Sequence, residues 1–174
     1  METGRRMRAL SISLLVIALI YLVTTVLDYR GYRVVYSKTA SMPSGLYLII
    51  PKQKFSKHEV VEFIPPDWAL DFLKERGWIN SRGSIIKYVF AVAEDSVCNQ
   101  GDSVIVNDKV VGKVQRFLDS GKQLPKKSFC GKVPDNHYLL MSNFSDRSFD
   151  SRYFGLVSAK NILGKALPIL MWGN

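Results

Sequence analysis

Residues 85–92 read IIKYVFAV, an apolar run in which Lys87 is the single charged side chain. β-Branched and aromatic residues dominate this run, and it is shorter than a typical helix, so it predicts a buried strand. Three similar runs precede it, at residues 32–36 (YRVVY), 46–50 (LYLII) and 60–64 (VVEFI). Proline follows the last two of these runs and would stop each strand. The sequence therefore predicts a mainly β domain.

The rest of the chain continues this pattern of short apolar runs separated by Gly, Asn, Asp and Pro. The further runs cover residues 104–106, 110–111, 138–141 and 162–167. Residues 67–76 (DWALDFLKER) differ, because Leu70 and Leu73 recur at helical spacing. We expect Asp67 to cap the start of this helix and Gly77 to end it. Many short strands and one short helix indicate a single domain.

An uncharged run of 19 residues, ALSISLLVIALIYLVTTVL, occupies residues 9–27 and is long enough to cross a hydrocarbon core as a helix. A cleavable signal peptide has a similar shape, but its apolar run is shorter and a small-residue cleavage site should follow. This chain reads TTVLDY there, so an uncleaved transmembrane anchor is the preferred interpretation. The chain then divides into residues 1–8, the anchor, and an outer domain at residues 28–174.

Two sequence features bear on the orientation of the anchor. Three arginines precede it, Arg5, Arg6 and Arg8, and favour a cytoplasmic N-terminus, although basic residues also follow it closely. The two cysteines of the chain, Cys98 and Cys130, both lie in the outer domain. Two unrelated buried thiols are one interpretation. We predict a disulfide bond between them, which would indicate an oxidising compartment.

The composition and net charge of the chain limit which classes of partner are expected. Its 174 residues are 47% hydrophobic and carry a formal net charge of +9. A nucleic-acid surface, attraction to anionic lipid headgroups and plain solubility are three explanations of that charge. No basic helix or aromatic-interleaved RNA motif accompanies it, so nucleic acid is not an expected partner. With two cysteines and no adjacent histidine pair, we expect neither a metal site nor a cofactor.

Two segments carry residues that could form a nucleophile and its base. Residues 39–45 (TASMPSG) put Ser41 on a loop after a strand, where nucleophiles are often held, although most such stretches are ordinary turns. Strand alternation could point Lys87 into solvent. If Lys87 is buried instead, its pKa falls and the neutral amine can act as a general base. The two histidines, His58 and His137, lie in no triad context.

A third segment, residues 145–155 (SDRSFDSRYFG), is polar and follows an apolar strand. A solvated loop is the simplest interpretation of this segment. Alternatively, Asp150 and Arg152 form an ion pair that fixes the loop, and Ser148 orients a lysine amine.

Together and in this order, Ser-Met-Pro near an N-terminal anchor, an apolar strand with one lysine, and SFDSRYFG resemble the type I signal peptidase family, peptidase family S26. Within this family the chain is most similar to TraF-type conjugative transfer peptidases. The similarity rests on DWALDFLKERGW before the lysine strand, Cys98 after it, Cys130 before the next strand, and SFDSRYFGLV followed by GKALP. The resemblance covers almost the whole chain and implies a signal-peptidase-like antiparallel β domain outside the membrane.

The resemblance also implies a role for each residue of the site. Ser41 is the nucleophile, Lys87 is the general base, and Thr39 joins the main-chain N–H of Ser41 in the oxyanion hole. The supporting residues are Ser148, which hydrogen-bonds the Lys87 amine, Asp150 and Arg152, which hold the structure around the dyad, and Met42, which lines a substrate pocket for small side chains.

By resemblance, the chain is a membrane-anchored serine endopeptidase that processes a pilin precursor for a conjugative type IV secretion system, with cyclisation of the pilin as a further outcome. A pilin or another secreted precursor, membrane lipid and other conjugative transfer proteins are the expected partners. The expected location is a bacterial inner membrane, crossed once, with the N-terminus cytoplasmic and the catalytic domain periplasmic. Two alternatives remain open: a general type I signal peptidase, and a non-enzymatic bitopic assembly protein with a degenerate protease fold.

Overall fold

The computed structural model describes residues 2–39, 41–79, 82–99, 101–117, 121 and 123–172, with side chains from residue 10 onward. These residues form a long N-terminal helix followed by two antiparallel sheets and two shorter α-helices. The side chains of Arg5, Arg6 and Arg8, whose charges bear on orientation, lie outside the described part of the chain.

Helix α1 (Glu2–Tyr29) contains the predicted anchor. Its segment Leu10–Tyr29 has 20 residues with a mean hydropathy of 2.6, and none of it is buried against the rest of the protein. The helix is therefore long and apolar enough to cross a membrane. The first strand begins at Arg33, so the β domain follows the helix within a few residues.

The β domain contains a seven-stranded and a four-stranded sheet. The strands are β1 (Arg33–Ser37), β2 (Gly45–Ile50), β3 (Val60–Phe63), β4 (Ile85–Ala91), β5 (Ser96–Asn99), β6 (Ser103–Val106), β7 (Lys109–Lys113), β8 (Phe129–Lys132), β9 (His137–Met141), β10 (Val157–Ser158) and β11 (Ile162–Met171). The large sheet has the order β1-β2-β11-β3-β4-β9-β10, and the small sheet has the order β7-β6-β5-β8. The predicted mainly β, antiparallel fold is confirmed.

Strand β11 joins the two halves of the large sheet, because it pairs with β3 at its start and with β2 further along. Gly164 makes this possible at the point of closest approach. A Cβ atom there would lie 2.6 Å from the carbonyl oxygen of Ile50, so only glycine fits without displacing the backbone. The strand continues beyond the predicted run at residues 162–167 and ends at Met171.

Two short α-helices, α2 (Asp67–Glu75) and α3 (Ser151–Phe154), and a 3-10 helix at Ala159–Asn161 are the other helices of the described part of the domain. The predicted cap of α2 is wrong: Pro66 is the N-cap residue and Asp67 is the first helical residue. Proline holds an extended conformation before the helix, and Asp67 instead adds negative charge to the first turn. Gly77 follows the end of the helix with φ of 64° and its N–H donates to Lys74, as predicted for a terminating glycine.

The core consists of a large and a small cluster of buried apolar side chains. The large cluster includes Val61 of β3, Val89 of β4 and Leu140 of β9, and α2 and α3 pack against it. The small cluster lies under β1 and β2 and includes Met42 and Tyr47. The neighbouring central strands β3, β4 and β9 therefore form the rigid base from which the site is built.

Candidate active site

Ser41 lies on the loop between β1 and β2. The Met42 N–H donates to the Thr39 carbonyl at 3.4 Å, which closes a turn around the serine. Met42 itself is 3% exposed and packs into the small core cluster. This buried methionine fixes the loop, while Ser41 stays half-buried and borders a cavity.

Lys87 lies in the middle of β4, between β3 and β9, and is 4% exposed. Its Nζ lies 2.6 Å from the Oγ of Ser41, although the two residues are 46 positions apart in the chain. The alternation in β4 therefore does not point Lys87 into solvent. It lies on the same side of the strand as the buried Val89.

Burial lowers the pKa of Lys87 from its usual 10.5 to about 8, since a charged amine is poorly solvated inside the domain. The negative charge of Asp150 opposes this change, and the positive charge of Arg152 reinforces it. A pKa near 8 leaves an appreciable fraction of neutral amine at neutral pH. Lys87 can then accept a proton from the hydroxyl of Ser41.

Thr39 is exposed and its Oγ1 lies 3.2 Å from the Oγ of Ser41. The threonine hydroxyl and the lysine amine therefore both contact the hydroxyl of Ser41. From this position it can donate a hydrogen bond to a group bound at Ser41, as an oxyanion-hole donor must.

Asp150 and Arg152 form a buried ion pair, with exposures of 0% and 1%. The Arg152 Nε donates to Oδ1 of Asp150 and its Nη2 donates to Oδ2, each at 2.8 Å. Nη2 also donates to the carbonyl of Ser145 at 2.9 Å. The segment that begins at Ser145 is thus tied to the core, and its second half is buried rather than solvated.

Ser142 was not singled out in the sequence, yet it contacts Ser41 directly. It follows β9, and its hydroxyl donates to the carbonyl oxygen of Ser41. Its own N–H donates to Oδ2 of Asp150 at 3.0 Å. A serine directly after an apolar strand gives no sequence signal of such a contact.

Two predicted contacts are absent from this structure. Among the described residues, the buried Oγ of Ser148 has no hydrogen-bond partner, so its predicted hydrogen bond with Lys87 is not formed. Ser148 nevertheless borders the same cavity as Lys87. Met42 does not line the cavity, because its side chain turns into the small core cluster instead.

The cavity beside Ser41 and Lys87 has a volume of about 550 Å³. Its wall comes from the end of β1 and the loop after it, the segment after α2, the start of β4 and the loop before α3. The lining residues are Val35, Tyr36, Ser37, Lys38, Thr39, Ser41, Leu73, Gly77, Trp78, Ile79, Ser84, Ile85, Ile86, Lys87, Ser145, Arg147, Ser148 and Phe149. Most of this wall is apolar, and Ser41 and Lys87 both border it.

A buried carboxylate supports one wall of this cavity. Glu62 of β3 is 0% exposed and lies 2.5 Å from the guanidinium of Arg33, and the Ser84 hydroxyl donates to it at 2.5 Å. These contacts tie the start of β1 and the segment before β4 to β3. The single acidic residue in the run VVEFI was the available sequence signal for this cluster.

Cys98 and Cys130 are joined by a disulfide bond, as the sequence predicts. Each cysteine lies within a strand, β5 or β8, and the two strands pair at this position. The adjacent Asn99 is buried and its Nδ2 donates to the carbonyl of Arg152 at 2.6 Å. The small sheet therefore supports the segment that holds the ion pair.

The chain is similar to known proteins over most of its length. The chain matches the family described as signal peptidase, peptidase S26, over residues 6–172. The plasmid transfer protein TraF of Escherichia coli is 32% identical over 144 residues, which cover 77% of this chain and 80% of that protein. The probable conjugal transfer protein TraF of Sinorhizobium fredii (strain NBRC 101917 / NGR234) is 35% identical over 153 residues, with coverages of 83% and 79%. Signal peptidase I of Buchnera aphidicola subsp. Schizaphis graminum (strain Sg) is 34% identical over 82 residues, which cover 47% of this chain and 25% of that protein. The chain therefore belongs to the signal peptidase family, peptidase S26.

Proposed function

We propose that the chain is a membrane-anchored serine endopeptidase in which Ser41 is the nucleophile and Lys87 is the general base. The observation that carries this proposal is the 2.6 Å contact between Lys87 Nζ and Ser41 Oγ, made by a buried amine whose pKa is about 8. A serine hydroxyl is a weak nucleophile until a base removes its proton. The buried lysine supplies that base next to an apolar cavity.

The reaction proceeds through an acyl-enzyme. The neutral amine of Lys87 takes the proton of the Ser41 hydroxyl while Oγ attacks the scissile carbonyl carbon. The resulting ammonium then gives that proton to the leaving amine as the peptide bond breaks. In the second half, Lys87 takes a proton from water, hydroxide adds to the ester, and Ser41 recovers its proton when it leaves.

Negative charge develops on the carbonyl oxygen in both halves of the reaction, so the site needs donors directed at that oxygen. We assign the main-chain N–H of Ser41 and the hydroxyl of Thr39 to this role. The 3.2 Å contact between the Thr39 and Ser41 hydroxyls supports this assignment. Ser148, Asp150 and Arg152 are assigned to the support of the dyad.

The anchor and the disulfide bond support a location at a bacterial inner membrane. Residues 9–27 cross the membrane once, residues 1–8 are cytoplasmic, and residues 28–174 form a periplasmic catalytic domain. The disulfide between Cys98 and Cys130 fits an oxidising compartment. Because β1 starts a few residues after α1, the site is held near the lipid surface, where a membrane-embedded precursor would be cut.

We propose a pilin precursor of a conjugative type IV secretion system as the substrate, cut after a small side chain. The similarity over most of the chain to two proteins named as plasmid or conjugal transfer proteins supports this choice. If the pilin's own amino-terminal amine, rather than water, attacks the Ser41 ester formed at the pilin's carboxyl end, a peptide bond replaces the ester and the product is cyclic. Both outcomes use the same acyl-enzyme.

The test is mass spectrometry of a candidate pilin co-expressed with the wild type or with Ser41→Ala. We expect the wild type to shorten the pilin and Ser41→Ala to leave it whole. A cyclic product would weigh one water less than the cut linear chain. An unchanged pilin in both strains would refute the proposed substrate, and a penem β-lactam that failed to acylate Ser41 would refute the peptidase assignment as well.

A general type I signal peptidase is a second candidate, favoured by the partial similarity to signal peptidase I from Buchnera. A strain whose own signal peptidase can be depleted separates the two functions. Growth rescue by this chain would favour the general activity. Failure to rescue, together with pilin cleavage, would favour the conjugative one.

A further inference from the structure

We propose that Ser142 is a positioning residue for the nucleophile: its hydroxyl holds the carbonyl group of Ser41 and so fixes the orientation of that residue for attack. This inference rests on the proposed Ser41 and Lys87 chemistry. It assigns to Ser142 a role that neither the sequence motifs nor the dyad itself requires.

The hydrogen-bond pattern fixes the direction of this contact. The Phe144 N–H donates to the Oγ of Ser142 at 3.0 Å, so the hydroxyl already accepts one hydrogen bond. Its single proton then goes to the Ser41 carbonyl, which can only accept. With an exposure of 4%, Ser142 has little access to water that could replace either partner.

The sheet brings Ser142 and Lys87 to the same residue from neighbouring strands. Tyr88 of β4 pairs with Met141 of β9 in antiparallel register. Lys87 precedes Tyr88 and Ser142 follows Met141, so this antiparallel register places the two residues next to each other at the end of the pairing. Lys87 contacts the side-chain oxygen of Ser41, and Ser142 contacts its main-chain oxygen.

These two contacts constrain different degrees of freedom. Buried Met42 anchors the loop, but the backbone hydrogen bond from its N–H to the Thr39 carbonyl is long, at 3.4 Å, and so holds the orientation of Ser41 only weakly. Holding the carbonyl oxygen restricts rotation of the peptide group after Ser41, which in turn sets where its Cβ and Oγ point. Lys87 alone would hold Oγ without fixing the direction of its attack on a substrate carbonyl.

Ser142 is itself held by the buried ion pair. Its N–H donates to Oδ2 of Asp150, and the same oxygen accepts from Nη2 of Arg152. A continuous series of hydrogen bonds thus runs from the Arg152 guanidinium through Asp150 and Ser142 to the carbonyl of Ser41. The ion pair therefore helps to fix the orientation of Ser41 through Ser142, and it also influences the pKa of Lys87.

The experiment measures acylation of Ser41 by a penem β-lactam in the full-length protein in detergent. For Ser142→Ala we expect the maximal acylation rate to fall about tenfold to a hundredfold, since a misplacement of about 1 Å can cost about a hundredfold. The concentration for half-maximal rate should stay within about twofold, because the cavity wall is unchanged. The pH midpoint of the rate should also stay where the wild type has it, because the environment of the Lys87 amine is kept.

Two control variants separate positioning from general damage. Ser142→Thr keeps the hydroxyl and should recover most of the lost rate. Ser158→Ala makes the same chemical change on β10 of the same sheet. The Ser158 side chain makes no capping hydrogen bond to the 3-10 helix at Ala159–Asn161, so this variant should be acylated at the wild-type rate. The melting temperature of each variant identifies any that has failed to fold.

The outcomes separate this inference from the proposed function. A wild-type acylation rate in folded Ser142→Ala would overturn the role of Ser142 and leave the peptidase assignment intact. The same holds if Ser142→Thr is as slow as Ser142→Ala, or if the loss appears only in the half-maximal concentration. No acylation of wild-type Ser41 would refute the peptidase assignment, and the role of Ser142 would fall with it.

Discussion

Replacing Lys87 with methionine should stabilise the protein while it abolishes cleavage. Lys87 is 4% exposed and its pKa in the folded state is about 8, whereas the unfolded chain keeps the usual 10.5. Each tenfold change in proton affinity corresponds to about 1.4 kcal/mol, so burial of the charged amine costs the folded state about 3 kcal/mol at neutral pH. Methionine is similarly long and unbranched, so it fills the same space without this cost.

The gain in stability of Lys87→Met over the wild type should depend on pH. Below pH 8 both the folded and the unfolded wild type hold the lysine proton, and the full cost is present. Between pH 8 and 10.5 the folded state has released the proton while the unfolded state still binds it, so wild-type stability rises with pH. The advantage of Lys87→Met should therefore shrink from about 3 kcal/mol at pH 7 to about 1 kcal/mol at pH 9.5.

Lys87→Met removes few favourable contacts that would offset this gain in stability. Ser41 is half-buried beside the cavity and keeps its contact with the Thr39 hydroxyl, so its hydroxyl is not left without a partner. The assay is urea denaturation of the full-length protein in detergent at pH 7 and pH 9.5. Lys160→Met, at an exposed lysine, is the matched control for the loss of a lysine side chain. The reasoning would be refuted if Lys87→Met were less stable than the wild type at pH 7. It would also be refuted if the difference in their free energies of unfolding were the same at pH 7 and pH 9.5.

Three further predictions concern the same residues and the disulfide. The cleavage rate of the wild type should rise about tenfold from pH 7 to pH 9, because the neutral fraction of a base with a pKa of about 8 rises from about a tenth to about nine-tenths. A flat kcat/KM profile over this range would contradict Lys87 as the base. Lys87→Arg should fold but not cleave, because an arginine stays protonated at any working pH, and retained cleavage would rule out the mechanism. Replacing Cys98 and Cys130 by serine should lower the free energy of unfolding by about 4 kcal/mol, from the sequence separation of 32 residues, and an unchanged urea midpoint would contradict that value.

The sequence predicted much of the fold because the main strands are apolar runs of ordinary length. The lysine strand, predicted at residues 85–92, is β4 (Ile85–Ala91). Strands β5, β8 and β10 were missed, since they have only two to four residues and carry polar or cysteine side chains. Short strands of this kind form because neighbouring strands pair with them, and a single sequence does not contain that information.

For the site, the sequence and the structure contributed different parts. Membership in the signal peptidase family and similarity to TraF proteins followed from motifs, and both are confirmed. The contact between Ser142 and Ser41 joins residues 101 positions apart and has no motif. The orientation of Ser148 and Met42 was also beyond the sequence, because it depends on side-chain packing rather than on residue type.

The arrangement around Asp150 explains how a buried carboxylate can lie near Lys87 without restoring the usual high pKa of the lysine. Oδ1 of Asp150 accepts from the N–H and the Nε of Arg152, and Oδ2 accepts from Nη2 of Arg152 and the N–H of Ser142. A carboxylate has about four acceptor positions, so these four hydrogen bonds occupy them all. The charge of Asp150 still raises the pKa of Lys87, but Arg152 carries an opposing charge beside it and burial prevails. Residues 150–152 (Asp-Ser-Arg) thus hold the carboxylate in place while the pKa of Lys87 stays below its usual value, as the proposed general base requires.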